Sequence, residues 1–304
     1  MASIERTAYP RFKRSPSARE LDTLYTPTED ELQFARLIAR KIQPRFGLLL
    51  LLKAFQRLGY FPAMEDIPVA IVQHVRATAG IDAEISAAYA EPRTLYRHHL
   101  AIRERLSVSA WGDEGLRVAS EAMATAAEVM DNPADLINVA IEELVRQRIE
   151  LPAFSTLDRL SRRIRTLVNG RFFEAVLAQL TEAERGQLDA LLEVGDSPQK
   201  KSLFFALKQL PKRSSLEHLQ ELLDHIVKLS NTVGADHHLA DIPNAKIKHF
   251  AAEAKALDAA ELKKFTSPKR YVLVLSLIHR ARVQARDDLA DMFIKRMSHI
   301  HRRR

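Results

Sequence analysis

Residues 151–173 read LPAFSTLDRLSRRIRTLVNGRFF, and their polar and apolar positions sort onto two faces of a helix. At about 3.6 residues per turn, Leu157, Leu160, Ile164, Leu167 and Val168 share one side, while Arg159, Arg162, Arg163 and Thr166 share another. The first is a core stripe. The second is a wholly basic face that suits either water or an anion, and no acidic partner is expected on it, because Asp158 belongs to a flanking row.

Amphipathic stretches of the same period recur along the chain, with only nine glycines and no sustained period-two alternation. The pattern therefore predicts an all-α, multi-helical protein of several small helical modules, without significant β-sheet. Helices are expected near 16–24, 28–41, 45–59, 67–79, 82–90, 92–107, 113–130, 133–149, 155–168, 171–180, 182–193, 197–209, 214–230, 243–257, 258–265 and 268–299. Capping-box spacing marks several starts: Thr28 with Glu31, Thr181 with Glu184, Ser214 with Glu217, and Asp258 with Glu261. Pro68, Pro133, Pro198, Pro243 and Pro268 are placed as first helical residues, where no N–H is needed. Asn169-Gly170 reads as a left-handed stop, which makes 155–168 and 171–180 a helix-turn-helix-like pair. Two weak linkers, SVSAWGDEG at 107–115 and EVGDSP at 193–198, divide the chain into expected modules 1–108, 113–193 and 197–304. No fixed-period repeat supports a solenoid.

Composition narrows the classes. A chain of 304 residues with 46% hydrophobic content is long enough for a substantial core. It has no cysteine, which excludes disulfides, thiolate metal sites and thiol catalysis. The N-terminus lacks an apolar signal segment, and the longest apolar run, 47–52, is far short of the roughly 20 residues that span a bilayer. A cytoplasmic protein without a membrane partner is expected. Formal charge is +7, unevenly placed: residues 113–150 carry nine acidic groups against three basic, 268–304 three against ten, and 1–60 six against eleven. Basic excess gathered into segments is the footprint of a polyanion partner.

Chemistry motifs are missing. There is no phosphate-binding glycine loop, nucleophile elbow or HExxH helix, so neither catalytic residues nor a cofactor is expected. The carboxylates Glu142, Glu143, Asp287, Asp288 and Asp291 read as solvated helix faces, and the adjacent pairs His98/His99 and His237/His238 point apart on a helix and suit no single ion.

Several basic elements remain. Arg159, Arg162 and Arg163, at i, i+3 and i+4, form a guanidinium cluster able to meet phosphates or guanine edges. In EPRTLYRHHLAIRERLSV, Leu95, His99 or Ile102, and Leu106 form the inner stripe; Arg93, Arg97, His98, Arg103 and Arg105 are mostly outward, and Tyr96 amid these bases is placed either to stack or simply to pack, packing being the commoner use of such a tyrosine. Arg36, Arg40 and Lys41 close the 28–41 helix, followed by Arg45, where cations suit the helix dipole with or without DNA. The N-terminal arm with Arg11, Lys13 and Arg14 is either a groove-binding arm or disordered. The final helix is still amphipathic through Phe293, Met297 and Ile300, and is expected to be truncated.

YTPTEDELQFARLIARKIQPRFGLLLLLKAFQRLGYFP, RHHLAIRERLSV, IEELVRQRIELPAFSTLDRLSRRIRTLVNG, IPNAKIKHFAAEAKALDAAELKKF and ARDDLADMFIKRM, in that order, resemble the N-terminal part of the replicative transposases of bacterial class II transposons, the Tn-three type. The resemblance implies helical modules that bind double-stranded DNA at the transposon's terminal inverted repeats. It places dimerisation and a catalytic RNase H-like domain, with its acidic metal-binding triad, further along a longer chain, so this chain alone is expected not to be an enzyme. Protein partners would be a second copy or the full-length transposase. Arg159, Arg162, Arg163 and Arg165 carry over as DNA contacts. Arg171, Arg97, His98, Arg103, Arg40, Lys41, Arg45, Arg11, Lys13 and Arg14 complete the candidate set. The competing reading is an α-helical protein-interaction module whose basic faces are merely solvated.

Overall fold

The computed structural model describes residues 3–193, 203–208 and 216–301. These residues form α-helices, two short 3-10 turns, and one isolated bridge between Ser109 and Ile149. No strand occurs among them, so the protein is all-α. Among the described residues, no helix is long and apolar enough to cross a membrane. Chain contacts define two units, one from 1–126 with 132–164, the other from 127–131 with 165–304. The stretch 113–193 is thus shared between them.

The first unit is built on helix α3 (Ile42–Leu58), against which α1 (Ala18–Tyr25), α2 (Glu29–Ile38), α4 (Val69–Thr78) and α5 (Pro92–Leu106) pack. Residues 46–55 of α3 are buried on every side, as a helix apolar all round requires. Lys53 interrupts that run and is buried with it. Its Nζ lies 3.2 Å from Glu31 Oε2, and Gln56 Nε2 donates to Glu31 Oε1 at 2.7 Å. Burial opposes the charge on Glu31, but the Thr28 amide, Gln56 and Lys53 outweigh it and hold the carboxyl below its usual range. One residue therefore completes the α2 capping box and neutralises the only cation in the core of α3.

The helix expected at 82–90 does not form. Tyr89 lies against α3 where Gly47 leaves room, so that a Cβ on Gly47 would come within 2.7 Å of its ring. Gln43 Nε2 donates to the Ala88 carbonyl at 3.2 Å. These tertiary anchors hold the segment out of a helix against its local propensity. The 107–115 linker is also pinned: Ser109 N donates to Arg148 O, and Glu150 N to Ser109 O, both at 2.9 Å. Helices α6 (Asp113–Ala127) and α7 (Pro133–Arg146) follow, the latter burying Leu136, Ile137, Ala140, Ile141 and Leu144.

Helix α8 (Phe154–Gln179) overturns the stop expected at Asn169-Gly170. Asn169 does not cap, because its side chain serves a tertiary hydrogen-bond cluster described below. An interior glycine costs a helix only about 1 kcal/mol relative to alanine, less than the burial of Val168 and Val176 on either side returns. Leu167, at the edge of the predicted core stripe, is 57% exposed.

The second unit also holds α9 (Glu182–Leu192), α10 (Leu203–Leu207), α11 (Leu216–Ser230), α12 (Ala235–His238), α13 (Asn244–Ala256), α14 (Ala259–Lys263) and α15 (Ser267–His301). Residues 271–278 of α15 are all buried, and α11 and α13 pack along this helix. The Arg282 guanidinium donates to the carbonyls of Leu229 at 2.8 Å, Thr232 at 3.2 Å and Val233 at 3.1 Å, which satisfies the end of α11. Capping boxes at Thr28, Thr181 and Asp258 are present, and Ser17 with Glu20 adds one. Pro133 is a first helical residue, whereas Pro68 and Pro243 are N-caps and Pro268 is second in α15. The starts expected at Pro198 and at Ser214 with Glu217, most of the 193–198 linker, and the Ile300 side chain lie outside the described residues.

Candidate nucleic-acid interface

In the first unit, Ser155, Arg159 and Arg162 line an open hollow of about 450 Å³ on α8. Arg159 and Arg163 are exposed and, among the described residues, make no ion pair. Arg162 does: its Nη2 lies 2.5 Å from Asp158 Oδ2. The flanking-row expectation is therefore corrected, since residues four apart are near neighbours on a helix. Asp158 is itself buried, so it orients Arg162 without presenting an exposed negative charge.

Helix α5 departs further from expectation. His98, placed outward by its sequence neighbours, is fully buried, with Nδ1 hydrogen-bonded to the Tyr89 hydroxyl at 2.7 Å. Burial, reinforced by Arg97, pushes its pKa down to about 4. Enclosed in this way, its ring is not presented on the surface of the unit. His99 stacks on Phe61 with centroids 3.8 Å apart and planes within 7°, and burial, then Arg103, lowers its pKa to about 4. Arg103 pairs with Glu150 at 2.8 Å and Arg105 with Asp30, so both are engaged within the unit. Arg93 and Arg97 stay exposed without an ion pair among the described residues. Tyr96 is 70% exposed, so the commoner of its two expected uses, packing into the unit, is not the one found.

Arg40 and Lys41 lie beyond α2, which ends at Ile38, and Arg45 folds back to donate to the Ala39 and Arg40 carbonyls at 3.1 and 2.9 Å. Arg45 is thus a helix-end cap. The N-terminal arm is anchored at Tyr9, which is buried, stacks on Tyr60 at 5.3 Å and donates its hydroxyl to the Pro152 carbonyl at 2.8 Å. Arg11 and Arg14 are exposed beyond this anchor; Lys13 pairs with Glu20.

In the second unit, Arg165 and Arg171 each have an acidic neighbour: Asp131 at 3.6 Å and Glu128 at 2.7 Å. Asp131 is the centre of a buried cluster. It accepts from Lys246 Nζ at 2.9 Å, Asn169 Nδ2 at 2.7 Å and His249 Nε2 at 2.8 Å, beside a hollow of about 390 Å³. Burial works against its charge, but the donors His249, Asn169 and Lys246 outweigh burial and hold the carboxyl far below its usual range. Among the described residues, no group of three or more histidine and carboxylate side chains is placed to hold a metal.

A second basic surface escaped the sequence reading. Lys208, Lys248, Lys255 and Arg280 help line a hollow of about 560 Å³. Lys248, Lys255 and Arg280 make no ion pair among the described residues. Lys248 and Lys255, seven apart on α13, share a face, and that spacing was the available signal. Arg280 joins them only because α15 packs against α13.

The chain is similar to several transposases over most of its length. It is 24% identical over 286 residues to the transposase for transposon Tn501 of Pseudomonas aeruginosa, covering 91% of this chain and 28% of that protein. For the Tn3926 transposase of Escherichia coli the identity is 25% over 283 residues, covering 91% and 28%. For the gamma-delta transposase of Escherichia coli strain K12 it is 23% over 299 residues, covering 96% and 29%. The chain thus spans less than a third of the length of these curated relatives. Residues 1–164 match the family model described as domain of unknown function DUF4158, and the chain belongs to that family.

Proposed function

We propose that this chain binds duplex DNA as the recognition part of a transposase, with transposon terminal inverted repeats as its specific site. The observation that carries the reading is the α8 face, where Arg159 and Arg163 are exposed and without an ion pair among the described residues, beside an Arg162 oriented by Asp158, in a chain aligned along most of its length with transposases. Guanidinium groups so presented suit phosphate oxygens and, bidentately, guanine edges. The basic hollow of α13 and α15 supplies further phosphate contacts. Phosphate contacts set affinity and a few base contacts set register. On this reading the chain acts on nucleoid DNA in the cytoplasm, and strand transfer belongs to parts of the relatives that it does not span.

The test is selection of duplexes from a random library, followed by gel retardation of the selected duplex and a scrambled one at equal salt. Preferential retardation of the selected duplex is expected. Equal retardation removes specificity; no retardation at moderate salt overturns the reading and favours a protein-interaction module.

A further inference from the structure

Helix α5 presents an outer face on which Arg93, Tyr96, Arg97 and Leu100 follow one another at helical spacing. Tyr96 is 70% exposed and Leu100 52%. Tyr96 and Leu100, one turn apart, put an aromatic ring and an aliphatic side chain side by side on this water-facing row. Tyr96 is also the outermost ring of an aromatic series. Its edge meets His99 at 6.5 Å, His99 stacks on Phe61 at 3.8 Å, and Phe61 lies 4.5 Å from the buried Phe55. The exposed ring thus stands at the outer end of an aromatic series that leads into the core of the unit.

The surroundings specify the partner. Arg93 and Arg97 flank the apolar pair without an ion pair among the described residues, and the first carboxylate in the row, Glu104, lies a turn beyond Leu100 at the far end of the helix. Apolar side chains bracketed by exposed guanidinium groups match a duplex, whose phosphates take the arginines while its base steps accept an apolar wedge.

Resting on the DNA-binding reading above, we infer that Tyr96 and Leu100 are a wedge that opens a base step and bends the duplex, anchored by Arg93 and Arg97. The wedge adds a deformation-dependent component to specificity that base contacts from α8 alone would lack.

The experiment uses the full chain and a duplex enriched by selection, with 2-aminopurine at successive positions for unstacking and circularly permuted fragments for bending. Wild type is expected to bend the duplex and raise 2-aminopurine fluorescence at one step. Tyr96→Ala with Leu100→Ala is expected to abolish both signals and weaken binding about tenfold, with the salt slope unchanged because no phosphate contact is lost. Tyr96→Phe, which keeps the ring, is expected to behave as wild type. Because both side chains are exposed, the variants should retain the wild-type melting temperature. Binding by wild type without bending or unstacking, or bending by the double variant equal to wild type, overturns the wedge and leaves the DNA-binding reading standing. Failure of wild type to bind any duplex overturns both.

Discussion

Lys246 Nζ lies 2.9 Å from Asp131 Oδ1 with both side chains almost wholly buried, and the two residues are 115 positions apart in the chain. Asn169 bridges them, donating to Asp131 and accepting from Lys246 at 2.5 Å. This pair holds the 127–131 segment to α8 and α13 within the second unit.

Removing one member should leave the other buried and uncompensated. Asp131→Asn is expected to destabilise the unit by about 3–5 kcal/mol, whereas Asp131→Asn with Lys246→Met should recover much of that loss. Urea unfolding of both variants checks this, and a double variant no more stable than Asp131→Asn would refute the coupling. The folded-state pKa of Asp131 is depressed, so its contribution is present above the unfolded carboxyl pKa near pH 4 and is lost progressively as pH falls below it.

A different pH window belongs to α5. The pKa values of His98 and His99 are lowered from 6.5 to about 4, so the folded state binds fewer protons than the unfolded one. Stability should therefore be full above pH 6.5 and fall as pH drops from 6.5 towards 4, by roughly 1–3 kcal/mol per histidine. Urea midpoints across that range measure the fall. His99→Phe, which keeps the stack on Phe61, should make it shallower; an unchanged slope would exclude His99 as a contributor.

Gly47 is constrained by a close approach rather than by backbone conformation. Gly47→Ala places a methyl within 2.7 Å of the Tyr89 ring and is expected to cost about 1–3 kcal/mol. Thermal melting gives the value. Tyr89→Leu, although it removes the hydrogen bond to His98, should reduce the added cost of the alanine when the two changes are combined.

For DNA binding, Arg159→Ala with Arg163→Ala is expected to leave melting unchanged, because both side chains are exposed and neither has an ion pair among the described residues. Affinity should fall by about 1–3 kcal/mol for each arginine that reads a base, or the salt slope by about 1 for each that holds a phosphate. Retardation across a salt series separates these outcomes. Lys248→Glu with Lys255→Glu tests the second basic surface: a loss of affinity equal on selected and scrambled duplexes is expected from phosphate contacts, and no loss would remove that surface from the interface.

Much of this molecule is legible in the one-dimensional pattern because helices are local. Capping boxes such as Thr28 with Glu31 act over three residues, and the all-apolar run of α3 has to be buried wherever the chain goes. The same locality explains the ion pair that wheel geometry misjudged, since Asp158 and Arg162 lie one turn apart. What tertiary structure decided is which way a residue faces when both faces of its helix are mixed, and where distant charges meet. His98 turns inward because Tyr89 supplies a hydrogen-bond partner. Asn169 continues a helix instead of ending it because Asp131 and Lys246, 38 and 77 positions away, need its amide. Lys248, Lys255 and Arg280 form one surface only where α15 packs on α13. Periodicity determines that a face exists; the partner across the core determines whether it is hidden, paired or left for a ligand.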